Sequence, residues 1–267
     1  MRGSSVRGKI MTLKPIPLWQ SLAIFGLPGL AIYFGTHELV PRLVQSGLPL
    51  IFSWTLCVVG PIVLNALIIV GWYVFQERPD WHEFRARFRL GPVRKSFLWS
   101  IPLTVFIILL LNQALAWTIP YLSNFPLTAP PAFIPELFSN AYESLGASGK
   151  ARTFLGFPIE PSSWWLVPFW IFFWVFLAVV SEELVWRGYV LPRQELVYGK
   201  YAWLVNGFLW NVPFHLYTIH SFASDFPLYL ILPFLSQNTK NNTVGILIHA
   251  LLVSLALIIL LSAFFSS

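Results

Sequence analysis

Two adjacent carboxylates and a guanidinium, Glu182, Glu183 and Arg187, stand at the end of an apolar run that begins near Trp164. Two histidines, His215 and His249, fall within later apolar runs. An ionised side chain at bilayer depth costs about 3 kcal/mol on insertion scales, so intramembrane charges are read first as functional and paired. An imidazole in an apolar helix equally needs a partner. Adjacent helical residues point about 100° apart, which gives Glu182 and Glu183 different tasks. One faces the cavity as a general base for water; the other orients a histidine or fixes its helix. Arg187 follows Glu183 by four residues, the spacing at which an ion pair neutralises one acid and leaves the other for proton transfer. Packed around one cavity, the helices that carry these groups would make a hydrophilic chamber suited to hydrolysis.

The rest of the chain must position them. Of 267 residues, 57% are hydrophobic and only 10% are charged, and several apolar stretches exceed the roughly 18 residues that mark a spanning helix. The fold class is therefore all-α: a polytopic transmembrane helical bundle of about seven spans, or eight if a long loop re-enters. The runs cover about 16–34, 48–75, 97–117, 164–180, 201–219, 227–235 and 244–265, with 35–47 as a short polar connection. Basic residues cluster at the N-terminus (Arg2, Arg7, Lys9, Lys14), in the loop 77–96 (Arg78, Arg85, Arg87, Arg89, Arg94, Lys95) and after the fourth run (Arg187, Arg193, Lys200). By the positive-inside rule all three lie on the cytoplasmic side, giving a multi-pass cell-membrane protein with a cytoplasmic N-terminus. No small-residue cleavage pattern follows the first run, which reads as a retained helix. Trp81, Phe84 and Phe88 alternate with the loop arginines as in a short helix lying on an anionic surface, or in a solvated loop. The segment 119–163, rich in Pro, Ser, Gly and Asn, reads as an extracytoplasmic loop with short amphipathic segments around 135–145.

These features also exclude some classes. The net charge of +6 follows from membrane orientation, and without a nucleic-acid motif it argues for membrane lipids rather than nucleic acid as partner. A single Cys57 gives no disulfide framework and reads as a small buried hydrophobe. Hydropathy imposes one geometric constraint. If Glu182 sat at the cytoplasmic boundary and the fifth helix began at Tyr201, His215 would lie about 21 Å further along it, at about 1.5 Å per residue. A single reaction centre requires either that Glu182 enter deeper or that 188–200 fold so that the fifth helix starts higher.

Glu-Glu-x-x-x-Arg at Glu182 to Arg187, with a downstream helix bearing His215 and a late apolar helix bearing His249, resembles the three motifs of the CPBP family. These are intramembrane proteases related to CAAX prenyl endopeptidases and to Abi-like bacteriocin-processing or immunity proteins. The resemblance runs from about residue 164 to 260. It divides the chain into an N-terminal region, 1–163, and a catalytic core, 164–267, within one integrated membrane domain. It implies an intramembrane endopeptidase acting on a peptide or protein substrate, prenylated or not, near the cytoplasmic leaflet. It further implies that Glu182 activates water, that Glu183 and Arg187 support the site, and that His215 and His249 position the water or the developing oxyanion. Glu182, His215 and His249 would also make three protein ligands for Zn with water as the fourth. The same set without metal can polarise water, and the two arrangements differ in sensitivity to chelation.

Two positions depart from the pattern. The second motif expects Phe four residues before its histidine, where this chain has Asn211, with Pro213 between it and His215. The third expects an amide four residues after His249, where Val253 stands beside Ser254. A valine cannot supply an amide's hydrogen bonds, which leaves Asn211 or Ser254 to compensate. The alternative function is a non-catalytic membrane adaptor or immunity protein that keeps the polar network for packing. A transporter has less support, because no inverted repeat is visible. His37, His82 and His220 read as structural or loop residues, Asp225 as a surface residue, and Asn112 and Gln113 as helix-packing groups.

Overall fold

The computed structural model describes residues 13–126, 128–131, 133, 153–154 and 157–265. These are helical apart from a two-residue antiparallel ladder pairing Thr153–Phe154 with Phe157–Pro158. The amphipathic segments expected around 135–145, and the basic residues Arg2, Arg7 and Lys9, lie outside the described residues. Three helical runs are long and apolar enough to cross a membrane: Leu18–Gln45, Leu50–Glu77 and Ser162–Phe214. Ser100–Leu115 and Asn242–Ile258 are apolar but shorter. The polytopic all-α membrane bundle stands, and length and hydropathy support three of the expected spans. Large apolar side chains face outward, Leu27 at 67% and Phe75 at 71% exposed. Such a surface suits hydrocarbon rather than water.

Helix α1 (Leu18–Gln45) does not stop at the expected polar connection. A wide turn over Gly35–Leu39 carries it into Val40–Gln45, and His37 Nδ1 is satisfied by the Tyr33 carbonyl at 2.9 Å. Helix α2 (Leu50–Glu77) begins after Pro49 and ends where Arg78 enters the left-handed region at φ 45°. The basic loop holds the short helix anticipated from its aromatics, α3 (Trp81–Arg87). Asp80 accepts from the Glu83 backbone N–H at 2.8 Å and Glu83 accepts from that of Asp80 at 3.0 Å, a reciprocal N-terminal cap. Helices α4 (Ser100–Leu115) and α5 (Thr118–Ser123) follow.

The helix carrying the glutamates, α6 (166–198), runs well beyond the hydropathy boundary near Val180. It reverses at Gly199, φ 53°, into α7 (Ala202–Leu209) and a wide turn, Trp210–Phe214. Two side-chain amides hold this antiparallel hairpin and tie it to α1. Asn206 Nδ2 donates to the Trp186 carbonyl at 3.0 Å and to Gln194 Oε1 at 2.9 Å, and Gln194 Nε2 donates to Ser21 Oγ of α1 at 3.2 Å. Side-chain amides are effective links between helices where water is scarce. About 24 Å of helix separates Glu182 from the turn, at about 1.5 Å per residue, so Glu182 does not stand at the end of its helix. His215 is not inside a helix, as its apolar run suggested, but at the break after α7, φ −90° and ψ 33°. Pro213 accounts for that break, since it cannot donate a backbone hydrogen bond.

Helices α8 (Phe222–Thr239) and α9 (Asn242–Phe265) complete the described chain. The N-terminal region is built into the core rather than set beside it. Phe25 of α1 stacks on Trp186 of α6 at 4.2 Å, and Trp186 meets Phe214 edge-on at 5.0 Å. A Cβ at Gly29 would stand 2.0 Å from the Pro213 carbonyl oxygen. Only glycine lets the α1 backbone lie directly on the turn that leads into His215.

Candidate active site

The sequence motifs converge on a residue that none of them contains. Trp210, 1% exposed, lies in the wide turn after α7. Its indole Nε1 donates to Glu182 Oε2 at 2.8 Å, and its backbone carbonyl bonds His215 Nδ1 at 2.9 Å. The Arg187 guanidinium lies 3.5 Å from the centre of the indole ring. The ring centroids of His249 and Tyr229 lie at 5.3 and 4.4 Å. Wide helical turns of this kind recur at functional sites because they redirect successive side chains. A second such turn, Leu184–Val190, follows the glutamates and carries Arg187.

Glu182 and Glu183 face different partners, as their spacing requires. Glu183, fully buried, faces α9: its Oε1 lies 3.0 Å from His249 Nδ1 and 3.4 Å from Arg187 Nη1. Its backbone carbonyl accepts from Asn242 Nδ2 at 2.8 Å, and a Cβ at Gly245 would come within 3.0 Å of its Oε2. Glu183 is thereby locked by charge, amide and close helix approach. Glu182, 6% exposed, has one oxygen on Trp210, and the other has no hydrogen bond or ion pair among the described residues.

The hydrogen bonds also fix the imidazole tautomers. A carbonyl only accepts, so His215 carries its proton on Nδ1 and presents Nε2 as a lone pair. A carboxylate likewise draws the proton of His249 to Nδ1, which leaves its Nε2 as an acceptor when neutral and a donor when protonated. Neither proposed compensating residue joins the cluster. Asn211 Nδ2 donates to the Phe222 carbonyl at 3.0 Å, Ser254 Oγ to the Ala250 carbonyl at 2.6 Å, and the Val253 carbonyl accepts from Trp170 Nε1 at 3.1 Å. The amide that reaches this site is Asn242, seven residues before His249 on α9. Asp225, expected at the surface, is half-buried and accepts from Ser221 Oγ at 2.5 Å. Among the described residues no three His, Cys, Asp or Glu side chains are grouped to hold a metal ion.

Residues 163–255 match the family model described as "Type II CAAX prenyl endopeptidase Rce1-like". The chain contains an Rce1-like domain. It spans α6 to most of α9 and takes in Glu182, Glu183, Arg187, His215 and His249, the same stretch on which the resemblance to CPBP proteases rests. No curated protein and no solved structure matches the chain. Within the Rce1-like domain, Asn242 and Tyr229 escaped the reading from sequence, as did the part of Trp210, which stood there only as an aromatic near the second motif. In a chain with 13 tryptophans and 9 tyrosines, one more aromatic in an apolar run carries no signal.

The indole of Trp210 has a testable role. Trp210→Phe keeps an aromatic ring beside Arg187 but leaves the buried Glu182 Oε2 without its donor, at about 1–3 kcal/mol. Stability is expected to fall by that amount, read as denaturant unfolding in detergent. A variant as stable as the parent would show that this hydrogen bond does not help hold Glu182.

Proposed function

We propose that the protein is an intramembrane endopeptidase that hydrolyses an amide bond by water activated on Glu182, in a prenylated or unprenylated protein or peptide segment presented at the cytoplasmic side of the membrane. The observation that carries this reading is the division of labour around Trp210, with Glu183 neutralised by Arg187 and His249 while Glu182 keeps one carboxylate oxygen uncommitted. The family description names prenyl endopeptidases, and the proposal takes its substrate class from there. The helices α1, α2, α4, α6, α8 and α9 would then cross the membrane, with the eight-residue α7 and its wide turn as a partial span, and the basic loop around α3 would lie in the cytoplasm.

In this mechanism the free oxygen of Glu182 accepts one water proton, while the Nε2 lone pair of His215 accepts a hydrogen bond from the other. The resulting hydroxide adds to the substrate carbonyl carbon. The developing oxyanion accepts from Nε2–H of protonated His249, whose positive charge is balanced by Glu183. Collapse breaks the C–N bond, and the proton held by Glu182 passes to the leaving amine. Each carboxylate and imidazole then returns to its starting state, as general acid–base catalysis requires.

The test uses full-length protein in proteoliposomes with farnesylated and unfarnesylated peptides. His249→Ala is expected to reduce cleavage by at least about 100-fold, the low end of what one acid–base group contributes, and chelation of divalent metals to leave the parent's rate unchanged. Parental cleavage by His249→Ala would overturn the mechanism.

A further inference from the structure

A polar cavity lies away from Glu182 and Glu183, on the side where the basic loop meets the turn between α8 and α9. Its volume is about 550 Å3, and His82, Arg85, Arg89, Arg94, Lys240 and Asn241 line it with no carboxylate among the lining residues. We propose that this cavity binds the phosphate of an anionic phospholipid headgroup.

Its walls are fixed to each other. The Asn242 backbone N–H donates to the Arg89 carbonyl at 2.8 Å, and Asn241 Nδ2 donates to the Pro92 carbonyl at 3.0 Å. Arg89 holds Glu195 with two hydrogen bonds, at 2.7 and 2.8 Å, and Lys240 reaches the same carboxylate at 2.5 Å. One acid thus serves two cations, and the excess positive charge faces the cavity. Arg85 uses its Nε on the Leu90 carbonyl at 3.1 Å. Neither the His82 nor the Arg94 side chain has a hydrogen bond or ion pair among the described residues. Cations with strong donors around a concave polar space are what a phosphate requires.

The surroundings favour a lipid as its source. An adjoining cavity of about 340 Å3 shares Pro92, Arg94, Thr239 and Asn241 with it and adds Asn238 together with the apolar side chains of Val93, Phe97 and Val244, so that hydrocarbon contacts stand beside the cationic ones. Trp81 and Trp99, on either side of the loop in sequence, are 69% and 85% exposed, and such amphipathic rings settle at headgroup level. A soluble phosphate would use only the cationic part; a phospholipid uses both.

The experiment titrates full-length protein in detergent with short-chain phosphatidylglycerol, phosphatidylcholine of the same chains, or glycerol 3-phosphate, and reads binding by native mass spectrometry. It needs no peptidase activity and so stands or falls apart from the proposed function. Phosphatidylglycerol is expected to bind the parent at least about tenfold more tightly than phosphatidylcholine. Arg85→Gln with Arg94→Gln should reduce that preference about fivefold per cation, the equivalent of about 1 kcal/mol each. If the double variant fails to fold, Arg94→Gln alone serves, since that side chain holds no partner among the described residues. Equal binding of the two lipids, a preference unchanged in the variants, or glycerol 3-phosphate binding as tightly as the lipid would each overturn the assignment.

Discussion

Glu182→Gln is expected to lower hydrolysis by about 10²- to 10⁴-fold, the contribution of a positioned general base, while leaving thermal stability at or above that of the parent. The side chain keeps its size, and the amide oxygen can still accept from Trp210 Nε1, so the 2.8 Å hydrogen bond that orients it survives. What disappears is the basic oxygen that would take a proton from water. Stability is not expected to fall, because Glu182 is 6% exposed and its own ion pairing is weak compared with that of Glu183. Removing a poorly paired buried charge relieves desolvation. The contrast with Glu183→Gln makes the result diagnostic. That variant weakens the contacts to both Arg187 and His249 and should lose structure along with rate. Measured together, kcat and the unfolding temperature separate a base from a structural carboxylate, and parental turnover in Glu182→Gln would remove the proposed mechanism.

How much of this could be read from sequence follows from where each interaction is encoded. The Glu183–Arg187 pair is local, and helical spacing alone puts the two on one face. His249 was legible because an imidazole in an apolar run demands a partner, although the sequence did not say which glutamate it would meet. The Glu183 contact at 3.0 Å answers that. The extent of α6 was not legible. Hydropathy ended the span near Val180 because charges follow, yet those charges are paired, some with near and some with distant residues. Arg187 is covered by Glu183 and Trp210, and Glu195 is shared between Arg89 and Lys240. A window that counts charges cannot see partners about a hundred residues away. The hairpin at Gly199 escaped for a related reason, since it is held by Asn206, Gln194 and Ser21, three ordinary polar residues whose meaning appears only when the helices pack. The departure at Val253 has a similar explanation. Its backbone carbonyl, not its side chain, is engaged by Trp170, and the amide that touches Glu183 arrives from two turns earlier on α9.

Arg187→Met is expected to be the most destabilising single change in the site, at about 3–5 kcal/mol, the usual result of removing one partner from a buried ion pair. Arg187 is fully buried, 3.4 Å from Glu183 and stacked over Trp210. Methionine fills much of its volume but leaves the equally buried Glu183 carboxylate with His249 as its only charged neighbour within ion-pair distance among the described residues. The second variant, Arg187→Met with Glu183→Gln, removes both charges and should recover most of the lost stability, because the cost lies in the orphaned carboxylate rather than in the missing arginine. Activity should not recover with it: a glutamine at position 183 cannot balance the positive charge that His249 carries when it donates to the oxyanion. A double-mutant cycle read by denaturant unfolding in detergent gives the coupling between the two positions directly. A single Arg187→Met variant as stable as the parent would show that the pair does not pin α6, whereas recovery of stability without recovery of turnover would separate the role of this charge network in folding from its role in catalysis.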